Sequence, residues 1–246
     1  MAATALALIG VASASALKIE IDKTLVSATL SVAPRELPAR GNAPVEVGSV
    51  TRIKTGDGSA PLVLSEILFM FDKHGSVDTK GLPVCTAAKL AETTPQVARK
   101  RCAGAIVGEG TGRAEVRLPG QAPTEISSPL TLFNAPPAKG MPSLLIHAYE
   151  TVPSPRAVLV PVPIERISHG RYGFQVDIPV PEIAGGYGAP TLAKATIGKT
   201  WKRGGRTVGY VNAHCAGGRL QVSGKIRTTD GSMFPGTLTS PCRVGG

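Results

Sequence analysis

The sequence predicts an all-β fold, an antiparallel β-sandwich with jelly-roll or Ig-like lobes and one short helix. Short apolar runs rich in β-branched residues recur along the chain, and 29 glycines and 21 prolines separate them. Strands joined by Gly and Pro turns, without alternating helices, are typical of antiparallel sandwiches and barrels. Because aromatic residues make up only 4% of the chain, we expect Val, Leu, Ile and Ala to fill the core.

The chain opens on an apolar stretch that predicts an export signal. Residues 2–14 are almost wholly small or apolar, and Ala14-Ser15-Ala16 has the small-x-small form that signal peptidases cut. We therefore expect residues 1–16 to be a signal peptide and the mature chain to begin near Leu17. No Lys or Arg precedes the apolar run. A short buried N-terminal helix or strand is the alternative. The run is shorter than the ~20 residues that span a bilayer, and no later segment is apolar enough, so we expect no transmembrane segment.

Strand patterns follow the predicted signal through the rest of the chain. The run 62–71 (LVLSEILFMF) is the longest apolar one and predicts a buried strand. Glycine pairs such as Gly204-Gly205 and Gly217-Gly218 mark turns between later strands. The predicted strands are 25–32, 45–54, 62–71, 114–118, 144–149, 157–162, 172–178, 191–197, 207–213, 220–228 and a short one leading to Cys242.

One helical excursion, residues 86–102, interrupts this pattern. Thr94-Pro95-Gln96 has the form of an N-cap followed by proline at the first helical position. We therefore expect a helix from Pro95 to about Arg101, with three consecutive cations in its last turn, where they complement the helix dipole.

Four cysteines, Cys85, Cys102, Cys215 and Cys242, follow the predicted signal. In an exported chain an even number of cysteines indicates disulfides, and four allow three pairings. We favour sequential pairing, which closes loops of 17 and 27 residues and contributes about 3 to 4 kcal/mol per bridge by chain entropy. Metal binding is the alternative. Neither pair has CxxC spacing, and His214 and Cys215 point to opposite faces if they lie on a strand.

Domain organisation is predicted from a Pro-rich stretch at 134–142 (NAPPAKGMP). It divides the mature chain into an N-terminal β lobe, 17–138, and a C-terminal β lobe, 139–246. A single domain built from both is the alternative, since sandwiches often run to ~250 residues as one unit.

Several stretches resemble a family of uncharacterised secreted bacterial proteins of actinobacterial type with two cysteine pairs. These are residues 81–90 (GLPVCTAAKL), 102–112 (CAGAIVGEGTG), Tyr172-Gly173, 180–186 (VPEIAGG) and the cysteines Cys215 and Cys242. The likeness covers roughly residues 60–242. It implies export, an all-β fold and two bridges, and it carries over no activity, ligand or active-site residue.

Signatures of common catalytic chemistry are missing from the sequence. It has no GxSxG elbow, HExxH pair, P-loop or dinucleotide fingerprint in a βα context. We therefore expect a non-enzymatic protein without metal or cofactor. The alternative is a secreted hydrolase with an unrecognised active site, which could combine His147 or His169 with Asp177 and a serine, because catalytic triads are spatial rather than sequential.

Paired carboxylates offer a second route to hydrolysis. Glycosidases need two carboxyl groups ~5 to 10 Å apart. Sequence spacing does not show whether any two of the candidates converge, and solvated surface acids explain them equally well. The candidates are Glu150, Glu165, Asp177 and Glu182.

Positive charge is the strongest remaining signal, with 27 Lys and Arg against 17 acidic residues and a formal net charge of +10. The excess gathers at Arg99-Lys100-Arg101 and around Trp201, the single tryptophan. Trp201 precedes Gly204-Gly205 in a predicted hairpin, where its ring and neighbouring cations could meet an anionic polymer. A solvated basic hairpin whose Trp covers a sheet edge is the simpler alternative. The candidate binding residues are Lys199, Trp201, Lys202, Arg203 and Arg206.

Together these observations predict a secreted, disulfide-stabilised, non-enzymatic β-sandwich protein. We expect it to act as an extracellular or envelope-associated structural or binding module. The anionic partners that fit its charge are envelope glycans and lipid headgroups. Nucleic acid is disfavoured because an exported protein has less access to it.

Overall fold

The computed structural model describes residues 15–21 and 23–245. It is all-β and mostly antiparallel, with a large sheet that nearly closes on itself and two disulfides. The predicted export signal falls on residues 1–16, of which 1–14 lie outside the described residues, and Ser15 begins the first strand. Within the described ranges, none of the helices has the length and apolarity needed to cross a membrane.

Strands account for most of the chain, and helices are confined to short segments. The α-helices are α1 (Ala87–Leu90) and α2 (Pro95–Arg101), and 3-10 turns cover Ala103–Ala105 and Ala184–Gly186. The strands are β1 (Ser15–Ile21), β2 (Thr24–Ala33), β3 (Glu36–Leu37), β4 (Ala43–Thr55), β5 (Leu64–Asp72), β6 (Gly75–Val77), β7 (Ile106–Val116), β8 (Thr124–Ala138), β9 (Met141–Glu150), β10 (Arg156–His169), β11 (Tyr172–Pro179), β12 (Gly188–Ile197), β13 (Thr200–Arg203), β14 (Arg206–Gly209), β15 (Val211–Ala213), β16 (Arg219–Thr228), β17 (Met233–Pro241) and β18 (Arg243–Val244).

The large sheet has the strand order β1-β2-β4-β12-β7-β8-β9-β10-β11-β5-β16-β17, and β6 and β15 extend it beside β4. Its two ends approach each other, because Leu17 of β1 packs directly over Gly236 of β17, where a side chain would collide with it. Two small sheets complete the fold, the β13–β14 hairpin and a parallel pair of β3 with β18.

Strands from both predicted lobes share the large sheet. Strand β12 lies between β4 and β7, and β5 lies between β11 and β16. The predicted boundary at 134–142 is occupied by the β8–β9 hairpin, where Lys139 and Gly140 have φ of 50° and 76°, as a type I′ turn requires. The lobe limits 17–138 and 139–246 stay a prediction.

Each predicted strand overlaps an observed one. The observed strands β1, β3, β6, β8 and β18 have no predicted counterpart, and β8 was missed because its three prolines hide its pattern. Proline 129 and the pair Pro136-Pro137 lie within it. The strand predicted at 114–118 is only the end of β7, which begins at Ile106. Glycines 108 and 110 allow β7 to approach β12 closely, since a Cβ at either position would collide with the backbone of β12.

Two of the clusters of buried side chains lie on opposite sides of β8, β9 and β10. The inner region includes Val107, Leu132, Val160, Val162 and the fully buried Tyr210. Burial raises the pKa of the Tyr210 phenol, so this side chain stays neutral at physiological pH. The outer region packs the two helices against the sheet around Phe133 and Leu145.

The helical segment confirms the expected α2 and adds one turn before it. Thr94 caps α2, its hydroxyl accepting the Val97 N–H at 3.4 Å, and Pro95 occupies the first turn. The additional helix α1 is a single turn whose Leu90 is fully buried.

Both disulfides have the predicted sequential pairing, Cys85 with Cys102 and Cys215 with Cys242, each with Cα atoms 5.8 Å apart. The first closes the helical segment, and its two cysteines are buried beside Phe133 and Leu145. The second links the loop after β15 to the end of β17.

Removal of the second disulfide tests its contribution to stability. We expect Cys215→Ser combined with Cys242→Ser to lower the free energy of unfolding by about 3.5 kcal/mol, because the unfolded chain regains the entropy of a loop closed over 27 residues. Guanidinium unfolding measures the change, and an unchanged circular dichroism spectrum without denaturant is the control for an intact fold. An unchanged midpoint would contradict the expectation.

Candidate functional site

The predicted basic hairpin is present and consists of β13 and β14. Trp201 pairs with Val208 and Arg203 with Arg206. The connecting residues Gly204 and Gly205 have φ of 58° and 77°, which only glycine adopts without strain at both central positions of such a turn.

Trp201 faces inward from this hairpin. Its half-buried ring packs against the inner core region, and its Nε1 atom lies 3.8 Å from the position that a Cβ of Gly81 would occupy. Side chains alternate along a strand, so the exposed Lys202 points to the opposite face. The structure therefore separates the Trp201 ring from the Lys202 ammonium group. These two groups were predicted to act together.

Arg203 attaches the hairpin to the loop that precedes the helical segment. Its guanidinium donates to both carboxylate oxygens of Asp78, at 2.9 and 2.5 Å, and to the Lys80 carbonyl at 3.0 Å. Hydrogen bonding to Arg203 lowers the pKa of Asp78, and the same carboxylate raises the pKa of Arg203. Because Asp78 neutralises it, Arg203 serves as a tether rather than as a free cation.

Lys199 makes the second attachment. Its ammonium group donates to the Gly104 carbonyl, just after the end of α2. The remaining hairpin cations are exposed. Lys202 donates to the Thr207 hydroxyl at 2.8 Å, and Arg206 has no acidic partner in the described part of the chain.

The helical segment carries the other basic cluster. Arg99 pairs with Glu109 at 2.6 Å, and both side chains are exposed. Arg101 donates to the Lys89 carbonyl at 3.2 Å. Lys100 is exposed and has no acidic partner among residues 15–21 and 23–245, so this cluster keeps a positive excess.

The two segments that carry these clusters, separated by about a hundred residues in sequence, are thus in direct contact. We call residues 78–105 together with the hairpin segment 199–209 the basic surface. It contains two acidic residues, Asp78 and Glu92, against nine Lys and Arg. These nine are Lys80, Lys89, Arg99, Lys100, Arg101, Lys199, Lys202, Arg203 and Arg206.

His147 fixes the basic surface to the sheet and is fully buried. Its Nε2 atom lies 3.2 Å from the Thr93 hydroxyl and 3.1 Å from the Thr93 carbonyl. Burial lowers the pKa of His147, so the ring is neutral. The structure gives it no hydrogen bond to Asp177, the predicted triad partner, and the hydrolase alternative stays a prediction.

The predicted carboxylates do not form one group. Asp177 has its pKa raised, first by burial and then by a hydrogen bond with Glu66, and the charge of Glu165 adds to the shift. Glu150 lies elsewhere and pairs with Arg156 at 2.6 Å. Glu66 was missed in sequence because its proximity to Asp177 depends on the β5–β11 register.

A histidine–carboxylate pair was also not predicted from the sequence. The Nδ1 atom of His74 lies 2.6 Å from Asp72, which is buried and also binds Arg171 at 2.7 Å. The His74 ring meets His214 edge-on, with centroids 4.9 Å apart. No serine hydroxyl hydrogen-bonds to His74 in the described ranges, and these residues include no three-ligand metal group. The pair is thus better explained as structural.

Comparison with known proteins returns no matching family model, no matching curated protein and no matching solved structure.

The Asp78–Arg203 tether predicts a change in the emission of Trp201, the single tryptophan. Asp78→Asn should shift this emission to longer wavelength at neutral pH, because loss of the ion pair loosens the hairpin and lets water reach the ring. Asp57→Asn is the matched control, since it breaks the Lys23–Asp57 pair outside the basic surface. Identical spectra for Asp78→Asn and the unmodified protein would show that the tether does not hold the hairpin.

The same tether predicts a pH dependence. The pKa of Asp78 is lowered in the folded protein from 3.8, so the ion pair stabilises the hairpin above about that pH and the stabilisation is lost as the pH falls through the lower folded value. We expect Trp201 emission to shift to longer wavelength in this acidic range. A shift already complete above pH 5 would contradict the assignment.

Proposed function

We propose that this protein is a secreted, disulfide-stabilised, non-enzymatic binding module that attaches to anionic polymers through the basic surface. The observation that supports the proposal is the pair of contacts, Lys199 with Gly104 and Arg203 with Asp78, that joins two basic clusters. Net charge alone would not favour this function, because dispersed cations bind polyanions weakly.

The distribution of charge favours a polymer over a small anion. The exposed cations lie on a helix, a loop and a hairpin rather than around one enclosed point. An extended partner with repeated phosphates or carboxylates can meet several of them at once, and each contact releases bound counterions. Envelope glycans and anionic lipid headgroups have this chemistry. Because such contacts are exposed, salt at physiological concentration screens them strongly.

Rigidity is the second support for the proposal. The Cys85–Cys102 disulfide and the His147 contacts with Thr93 fix the helical segment before any partner arrives. A preorganised surface loses less conformational entropy on binding than a flexible basic tail does.

The location and the fold class of the protein are each proposed from one structural feature. Disulfides persist in oxidising compartments, so we infer an extracellular or envelope-associated protein of the secreted type that the sequence resembles.

We also propose the β-sandwich class. Its support is the packing of Leu30 on β2 with Val222 and Leu238 on β16 and β17, which is the contact expected between facing sheets.

A charge reversal on the hairpin tests the proposal. Lys202→Glu with Arg206→Glu should weaken binding to heparin at least tenfold at 0.15 M salt and reduce the slope of log affinity against log salt by about 2, since each lost cation removes about one unit. Both side chains are exposed, so the fold should tolerate the change. Affinity chromatography over a salt series measures both effects.

The matched control is Lys54→Glu with Lys225→Glu, which makes the same change in net charge on exposed positions of β4 and β16. Its binding should stay within about threefold of the unmodified protein. Equal losses in the two double variants would make binding a property of net charge and would overturn the assignment to the basic surface.

A further inference from the structure

A second feature, a cavity of about 200 Å³, lies on the inner side of the large sheet. Apolar side chains from seven strands line it, and almost none of its wall is polar. Protein interiors are normally packed so closely that voids larger than a water molecule are few. A void of this size therefore needs an explanation. The apolar lining includes Ile53, Leu64, Ile126, Leu130, Val158 and Leu192.

Small residues keep the cavity open. Gly112, Ala114, Ala148 and Ala193 all lie in its wall, at places where a larger side chain would fill the space. Ala114 is itself buried. The cavity thus reflects the choice of side chains on β7, β9 and β12, not a gap between elements that fail to meet.

The mouth of the cavity is identified by the exposed members of its lining. These are Arg113, Ser127, Thr151, Pro181 and Ala193. Arg113 makes a long ion pair with Glu125, at 3.3 Å. Side chains alternate along a strand, so Arg113 points away from the face of β7 that carries Gly112 and Ala114. The cavity is therefore almost wholly apolar, and its exposed lining residues mark where it opens to solvent.

A strained segment covers part of this mouth. Val180, Pro181 and Ile183 contribute to the wall, and the next residue, Ala184, is buried with φ of 51°. A non-glycine residue in this region is held there by its surroundings, and such strain is concentrated at ligand clamps and active sites. Here Glu150 accepts the Ala184 N–H at 3.4 Å and is itself held by Arg156.

From the size and lining we infer that this cavity binds a small apolar molecule. An apolar cavity of about 150 Å³ is large enough for benzene and stays dry without it. The present cavity suits a somewhat larger molecule, such as an alkylbenzene or a short alkyl chain. This site lies apart from the basic surface and does not depend on the function proposed for it.

Thermal unfolding of the full chain with n-octanol and n-butylbenzene tests the inference. Each should raise Tm saturably, by about 3 to 6 °C at tenfold excess over Kd, because only the folded protein has the cavity. Ala148→Phe should remove the shift, since the ring fills the cavity. Ala88→Phe, which adds the same ring to an exposed position on α1, should keep it.

A second cavity variant guards against misfolding of the first, and a diol tests whether the cavity selects apolar ligands. Ala114→Leu narrows the cavity from another wall and should also remove the shift if Ala148→Phe fails to fold. n-Octanol should bind at least tenfold more tightly than 1,8-octanediol, whose second hydroxyl would lose its hydrogen bonds in the apolar cavity. Absence of a saturable shift with both probes, a shift retained in both cavity variants, or equal binding of the diol would overturn the inference.

Discussion

Attachment of the helical segment to the sheet is the constraint on which the candidate site depends. The Cys85–Cys102 disulfide closes the segment, the Cys85 N–H donates to the Asn134 carbonyl at 2.8 Å, and Asn134 in turn donates to the Pro83 carbonyl at 2.9 Å. These bonds fix the backbone just before and after the helices. The Gly104 carbonyl is consequently held where Lys199 can reach it, and a flexible excursion would not offer that acceptor.

Ion pairing then decides which cations are available to a partner. Asp78 neutralises Arg203, and Glu109 neutralises Arg99. These two arginines therefore contribute more to the shape of the surface than to its positive electrostatic potential. Lys100, Lys202 and Arg206 lack such partners among the described residues and carry the excess. Ion pairing also affects the cavity. Its one buried carboxylate, Glu150, is paired with Arg156, so the cavity has an apolar interior.

Features set by neighbouring residues were predictable from the sequence. The Thr94 cap, the Gly204-Gly205 turn and most strand patterns depend on residues within a few positions of one another. Features set by strand register were not. Inward packing of Trp201, the Lys199 contact with Gly104 and the proximity of Glu66 to Asp177 require knowledge of which strands are neighbours. Strand β8 was missed for another reason. Its prolines are typical of a linker, although in the structure they lie within a paired strand.

Hydrogen–deuterium exchange of the full chain, with and without heparin, tests most directly whether the two basic clusters act as one surface. Protection should increase in both 78–105 and 199–209 at the same heparin concentration, with little change in 220–228 on β16. Protection confined to one of the two segments, or centred on other strands, would contradict the account.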